Sequence, residues 1–192
     1  GTPYLLHVLS SYGHTDLAYT LLLRTEYPSW LYPVTKGATT VWEHWDGIME
    51  NGDFWSTDMN SFNHYAYGAV ADWVYEEAAG IHTVEEAPGF ERVKIAPKPD
   101  SRLDWLEASI ETRKGLVRSL WKQEEGRFRY EITTPSPASI VIDGVETQVG
   151  FSNVPWVALP NRVRITEAAS LTEGVMLQVD TFGALSGLEI CS

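Results

Sequence analysis

The chain has a single cysteine, Cys191, next to its last residue. An intrachain disulfide is therefore excluded, and so is a cysteine-rich metal site. Cys191 reads as a small apolar side chain at a strand end, and it fixes no redox compartment. Positive charge is scarce as well. Lys and Arg number 14 against 26 Asp and Glu, a formal net charge of −12. That balance lacks the basic footprint of a nucleic-acid binder and the basic clusters that hold anionic lipid. No apolar run reaches the ~18 residues that would cross a bilayer. No internal repeat or low-complexity segment is present. No signal peptide is visible either, but the sequence opens on Gly1-Thr2-Pro3, so this says nothing about location.

What is present is an ordinary globular composition, with 44% hydrophobic and 21% charged residues among 192. That is enough for a sizeable core in one large domain or two small ones. The acidity is uneven. Up to Phe90 the only bases are Arg24 and Lys36, facing twelve carboxylates, whereas the remaining residues are close to neutral. An acidic half can stabilise positive charge developing on a sugar ring. For most of these carboxylates, a solvated surface is the ordinary role.

Periodicity divides the chain in the same place. Residues 4–13 read as a helix closing at Gly13, a usual stop. Thr15 or Asp16 can cap a second helix that ends before Pro28. The Trp-, Gly- and Asp-rich stretch 29–60 predicts one short helix over 41–48 inside a long loop, and loops of that length are usually functional. Asn60 or Ser61 should cap the clearest helix, 61–79. Its apolar stripe is Phe62, Tyr65, Ala66, Ala69, Val70, Trp73 and Val74, and Gly80 closes it. Trp55 and Trp73 are expected in the core. From Phe90 the period changes to two. Strands are expected over 91–96, 106–111, 116–122, 128–132, 140–142, 163–165 and 175–179. Turns fall at Lys114-Gly115, Glu125-Gly126 and Asp143-Gly144. The expected class is α+β in two domains, 1–86 helical and 87–192 an antiparallel β-sandwich.

The chemistry concentrates in two runs. Gly37-Ala38-Thr39-Thr40-Val41-Trp42-Glu43-His44-Trp45 carries a carboxylate. Met59-Asn60-Ser61-Phe62-Asn63-His64-Tyr65 carries an imidazole 21 residues after it. Aromatic faces stack on the apolar faces of a pyranose, amides and imidazole read hydroxyls, and a carboxylate can activate water. Glu43 is the candidate catalytic residue, and His64, Trp42 and Trp45 are candidate substrate-binding residues. Taken singly, each has a blander role: Glu43 as a surface carboxylate, His64 as a structural histidine, and the two tryptophans as core. Asp46, Asp53 and Asp58 match no calcium-loop spacing. His7, His14, His44 and His82 form no zinc pattern. No metal and no cofactor is expected.

These two runs, with the helix ending at Ala79-Gly80-Ile81, Pro88-Gly89-Phe90 and Ile95-Ala96-Pro97-Lys98-Pro99, resemble the C-terminal part of bacterial α-L-rhamnosidases of glycoside hydrolase family 78. The resemblance covers about Tyr4 to Gly126 and weakens beyond. It implies the last helices of an (α/α)6 catalytic toroid followed by a β-sandwich. It also implies hydrolysis of terminal α-L-rhamnosides with inversion, on a rhamnosylated glycoside or oligosaccharide as partner. The family's general base falls on Glu43, a sugar-contacting histidine on His64, and subsite tryptophans on Trp42 and Trp45. The general acid of the family lies upstream of these motifs. Twelve helices with their loops take at least roughly 200 residues, so the chain is expected to hold the last third or so of an enzyme and to be inactive alone. Helix faces left without neighbours imply self-association or pairing with the missing toroid half. The competing expectation is a non-catalytic carbohydrate-binding or packing module. A polysaccharide lyase is disfavoured because the front region has only two bases for a uronate cleft.

Overall fold

The computed structural model describes residues 1–124, 126–134, 137–149, 163–167 and 175–180. The chain divides into two compact units, Gly1–Trp73 and Val74–Ser192.

The first unit is helical. A 3-10 turn, Thr2–Tyr4, leads into α1, Leu5–Ser11, and α2, Thr15–Leu23, follows. Gly13 takes a left-handed φ of 82°. From there the His14 N–H reaches Leu9 O at 2.8 Å and the Gly13 N–H reaches Ser10 O at 3.2 Å. This 6→1 and 5→2 pairing satisfies carbonyls that the end of α1 would otherwise leave bare. Leu6, Ala18, Tyr19 and Trp73 are buried together with Ser10. The edge of one ring meets the face of the other where Tyr19 packs on Trp73, centroids 5.0 Å apart. The Trp73 indole N–H donates to Ser10 Oγ at 2.9 Å, so this small core holds no orphan donor at its centre. A short helix α3, Leu31–Thr35, follows. It lies in the stretch where the sequence predicted only loop before Val41.

Two expected helices differ. Residues 41–48 form turns and bends and no helix. The helix predicted over 61–79 begins at Ala66. It runs as a 3-10 turn Ala66–Ala69, one α-turn α4, Val70–Trp73, and a π-turn Val74–Ala78. Asn60 cannot cap it, because its amide is engaged with Ser56, accepting from the N–H and donating to the carbonyl. Tyr65, placed by the pattern on the buried stripe, is 89% exposed. Trp73 is buried as expected, whereas Trp55 is 47% exposed and belongs to no core.

The second unit is a sandwich of two sheets. Its strands are β1 Ile81–Thr83, β2 Val93–Ile95, β3 Trp105–Thr112, β4 Gly115–Glu124, β5 Arg127–Thr134, β6 Ala138–Ile142, β7 Val145–Val149, β8 Val163–Glu167 and β9 Val175–Asp180. They order as β1-β2-β6-β7 and β3-β4-β5-β9-β8. All pairs are antiparallel except β2–β6, which is parallel. Between β2 and β6 the chain forms three strands of the other sheet, and a return by that route can leave the two strands running the same way. Inner-facing Ile95, Val117, Trp121, Tyr130, Ile132 and Ile140 from both sheets share one core. Burial pushes the Tyr130 phenol pKa up.

Turn chemistry explains the register. Asp143 and Gly144 both have positive φ, 50° and 79°, the requirement of the two-residue loop that closes Ile142 on Val145. The β3–β4 turn falls at Arg113-Lys114, one residue earlier than predicted, with Thr112 opposite Gly115. At the start of this unit, Gly80 has φ 76°, and a Cβ there would lie 2.1 Å from Pro97 N. Two strand β4 side chains bind the carbonyls just before it. Trp121 Nε1 donates to Ala78 O at 2.8 Å and Ser119 Oγ to Ala79 O at 2.6 Å.

Candidate active site

Glu43 and His64 lie in the first unit, on two segments that run antiparallel. The Glu43 N–H donates to Ser61 O at 2.9 Å, and the His64 N–H donates to Val41 O at 2.8 Å. Thr40 Oγ1 adds a bond to Phe62 O. Three bonds therefore bring the carboxylate-bearing and imidazole-bearing runs side by side, although many residues separate them. The backbone groups are spent on each other, and the side chains are left to act. Both residues are half-buried. His64 precedes the 3-10 turn Ala66–Ala69 rather than sitting inside the helix expected over 61–79. Its ring lies parallel to that of Tyr65, with centroids 5.7 Å apart.

The tryptophans divide by packing. Trp42 is 6% exposed and meets Phe62 edge-on at 5.0 Å. Gly47 lies against the same pair, since a Cβ there would stand 3.0 Å from Phe62 and 3.2 Å from Trp42. Trp45 is half-buried between Trp30, edge-on at 5.0 Å, and Tyr67, tilted at 5.1 Å. Trp30 Nε1 donates to Tyr67 O at 2.9 Å, which ties this cluster to the segment after His64. The Trp45 indole N–H is buried without an acceptor among the described residues. Such a donor costs about 1–3 kcal/mol.

Between the two runs stands a small hairpin. Ile48 bridges Phe54, Trp55 N–H donates to Gly47 O at 3.1 Å, and Met49 N–H donates to Asp53 O at 2.8 Å. Trp55 stacks on His44 at 3.8 Å with 16° between planes. Sequence reasoning missed this pair, together with Trp30 and Tyr67. The only signal was the density of aromatic residues in the loop. Two other histidines have structural partners, His7 with Asp72 at 3.2 Å and His82 with Glu76 at 3.4 Å. Burial lowers the His82 pKa, and the Glu76 carboxylate opposes that shift.

Comparison with known proteins agrees with the motif reading. The model of the bacterial α-L-rhamnosidase six-hairpin glycosidase domain matches residues 1–78, and that of the bacterial α-L-rhamnosidase C-terminal domain matches residues 80–148. The chain belongs to the bacterial α-L-rhamnosidase family. An α-L-rhamnosidase of Streptomyces avermitilis is 44% identical over 135 residues, 70% of this chain and 13% of the relative. A crystal structure of a Streptomyces avermitilis α-L-rhamnosidase complexed with L-rhamnose superposes with a TM-score of 0.71 at 35% identity, covering 94% of this chain and 17% of that one. The native α-L-rhamnosidase of Aspergillus terreus gives 0.69 at 36% identity, covering 78% and 18%. The chain thus spans less than a fifth of the family members it matches. That is a smaller share than the third expected from counting toroid helices. The helical unit followed by β-sheets is the family's domain order.

Proposed function

We propose that this chain supplies the general base of an inverting α-L-rhamnosidase, with Glu43 as that base. Its carboxylate takes a proton from water as the water oxygen attacks the anomeric carbon. The bond from that carbon to the leaving oxygen breaks, and a second carboxyl donates a proton to that oxygen. The two groups stand roughly 6.5–9.5 Å apart in such a pair, leaving room for the water. His64 contacts sugar hydroxyls. Trp45 lines the subsite, and Trp42 backs the wall and holds the Glu43 segment rigid. The proton donor comes from residues other than these 192, in the same polypeptide or another.

The observation that carries this reading is the pair of backbone bonds that align Glu43 with His64 inside an aromatic loop. An isolated surface glutamate needs no such frame. The decisive experiment uses the polypeptide that holds both carboxyls. There, Glu43→Gln should lower kcat on an aryl α-L-rhamnoside by on the order of 100- to 10,000-fold while leaving substrate affinity largely unchanged. A change of less than about tenfold, measured by steady-state kinetics, removes Glu43 from the role. The 192 residues alone should hydrolyse that substrate at background. Robust turnover would show that they carry a proton donor of their own.

A further inference from the structure

Trp55 is a ring already clamped on one face. His44 covers that face at 3.8 Å, nearly parallel, and the Trp55 backbone N–H donates to Gly47 O. Even so, Trp55 is 47% exposed, and its neighbour Phe54 is 59% exposed. Phe54 leans on Phe62 at 5.8 Å, and Phe62 lies edge-on to Trp42. A ring held this firmly loses little freedom when something stacks on its open face. His44, the residue that braces the platform, directly follows the proposed base Glu43 in the chain.

The chemistry around the platform selects its occupant. Asn51 and Asp53 are bonded to each other, side chain to side chain and side chain to backbone. Ser56 Oγ accepts from the Asp58 N–H, and Asn60 is engaged with the Ser56 backbone. Asn51, Ser56 and Asn60 thus each already have a partner within the loop, which leaves them less free to read a second sugar. Asp46, Glu50, Asp53 and Asp58 lie in the same loop, and no Lys or Arg occurs between Lys36 and Arg92. An anionic group would be repelled. We propose that Trp55, braced by His44, is the stacking platform for an uncharged aromatic aglycone and sets the leaving-group preference.

This inference rests on the base role of Glu43 and can fail separately from it. In the polypeptide with both carboxyls, Trp55→Ala should lower kcat/KM for phenyl relative to methyl α-L-rhamnoside by roughly tenfold, chiefly through KM. Trp55→Phe, which keeps an aromatic face, should restore the ratio to within about threefold. Calorimetry on the Glu43→Gln protein reads the same preference as binding. Phenyl should bind more tightly than methyl α-L-rhamnoside and more tightly than the 4-carboxyphenyl compound, and Trp55→Ala should abolish the phenyl advantage. An unchanged phenyl-to-methyl ratio in Trp55→Ala overturns the platform while leaving the base role intact. Equal binding of the carboxylated compound overturns the selection against charge. Full activity in Glu43→Gln overturns the base role, and the Trp55 ratio then still tests the platform.

Discussion

Glu43 is held by its own backbone. The N–H bond to Ser61 O fixes where the side chain emerges, and the bond from His64 N–H to Val41 O fixes its neighbour. Neither residue needs a helix to orient it. Buried polar groups set the other single-residue effects. Removing the hydroxyl in Ser10→Ala leaves the Trp73 indole N–H buried and bare, which should cost about 1–3 kcal/mol in a denaturant titration. A loss under about 0.3 kcal/mol would mean that this donor finds another acceptor. His82 governs a pH response. Burial holds its folded pKa below the ordinary 6.5. Below pH 6.5 the unfolded chain then binds more protons than the folded one. Stability therefore falls as pH drops from 6.5 through the folded pKa and levels off beneath it. His82→Gln should flatten that part of the curve, as followed by melting temperature against pH. An identical slope in the variant would assign the acid response to other groups.

At the scale of elements, two close approaches decide geometry. Gly80 cannot carry a side chain because Pro97 backbone occupies the space and φ is positive. Gly80→Ala should therefore destabilise the sandwich unit by at least ~2 kcal/mol in denaturant unfolding. The charged ladder on the outer face of β3, β4 and β5 behaves differently. Arg118 bonds Glu107 at 2.6 Å and approaches Glu131 at 3.7 Å. Its hydrogen bond to Glu107 holds that carboxyl below its usual pKa range. Exposed pairs of this kind are worth up to ~1 kcal/mol. Arg118→Ala should cost no more than that, and less in high salt.

Considered as a whole molecule, the chain exposes many large apolar side chains in its helical unit. Tyr4, Val8 and Tyr12 lie on one face of the first helices, and Val34, Phe54 and Met59 are exposed elsewhere in that unit. Surfaces of this kind favour association. Light scattering on the 192-residue chain should show self-association that rises with concentration. A monomer at all concentrations would contradict it. The family's members are several times longer, and coexpression with the rest of such a polypeptide should suppress the effect.

The sequence by itself determined what depends on near neighbours. The glycine stop at Gly13 and the Asp143-Gly144 turn are local, and each stands where the pattern predicted it, whereas the first strand, Ile81–Thr83, comes before the change of period expected at Phe90. The ordered motifs from Gly37 to Pro99, taken together, were enough to identify the family. Tertiary structure alone decided which aromatic rings are buried. Trp73 is covered by Tyr19 and bonded to Ser10, 63 residues away, whereas Trp55 stacks on His44 and stays half-exposed. It also decided that the last helix of the unit starts at Ala66. Ser61 O and Phe62 O accept from the Glu43 N–H and Thr40 Oγ1, and the His64 N–H donates to Val41 O, so these groups pair with the Glu43 segment instead of opening a helix.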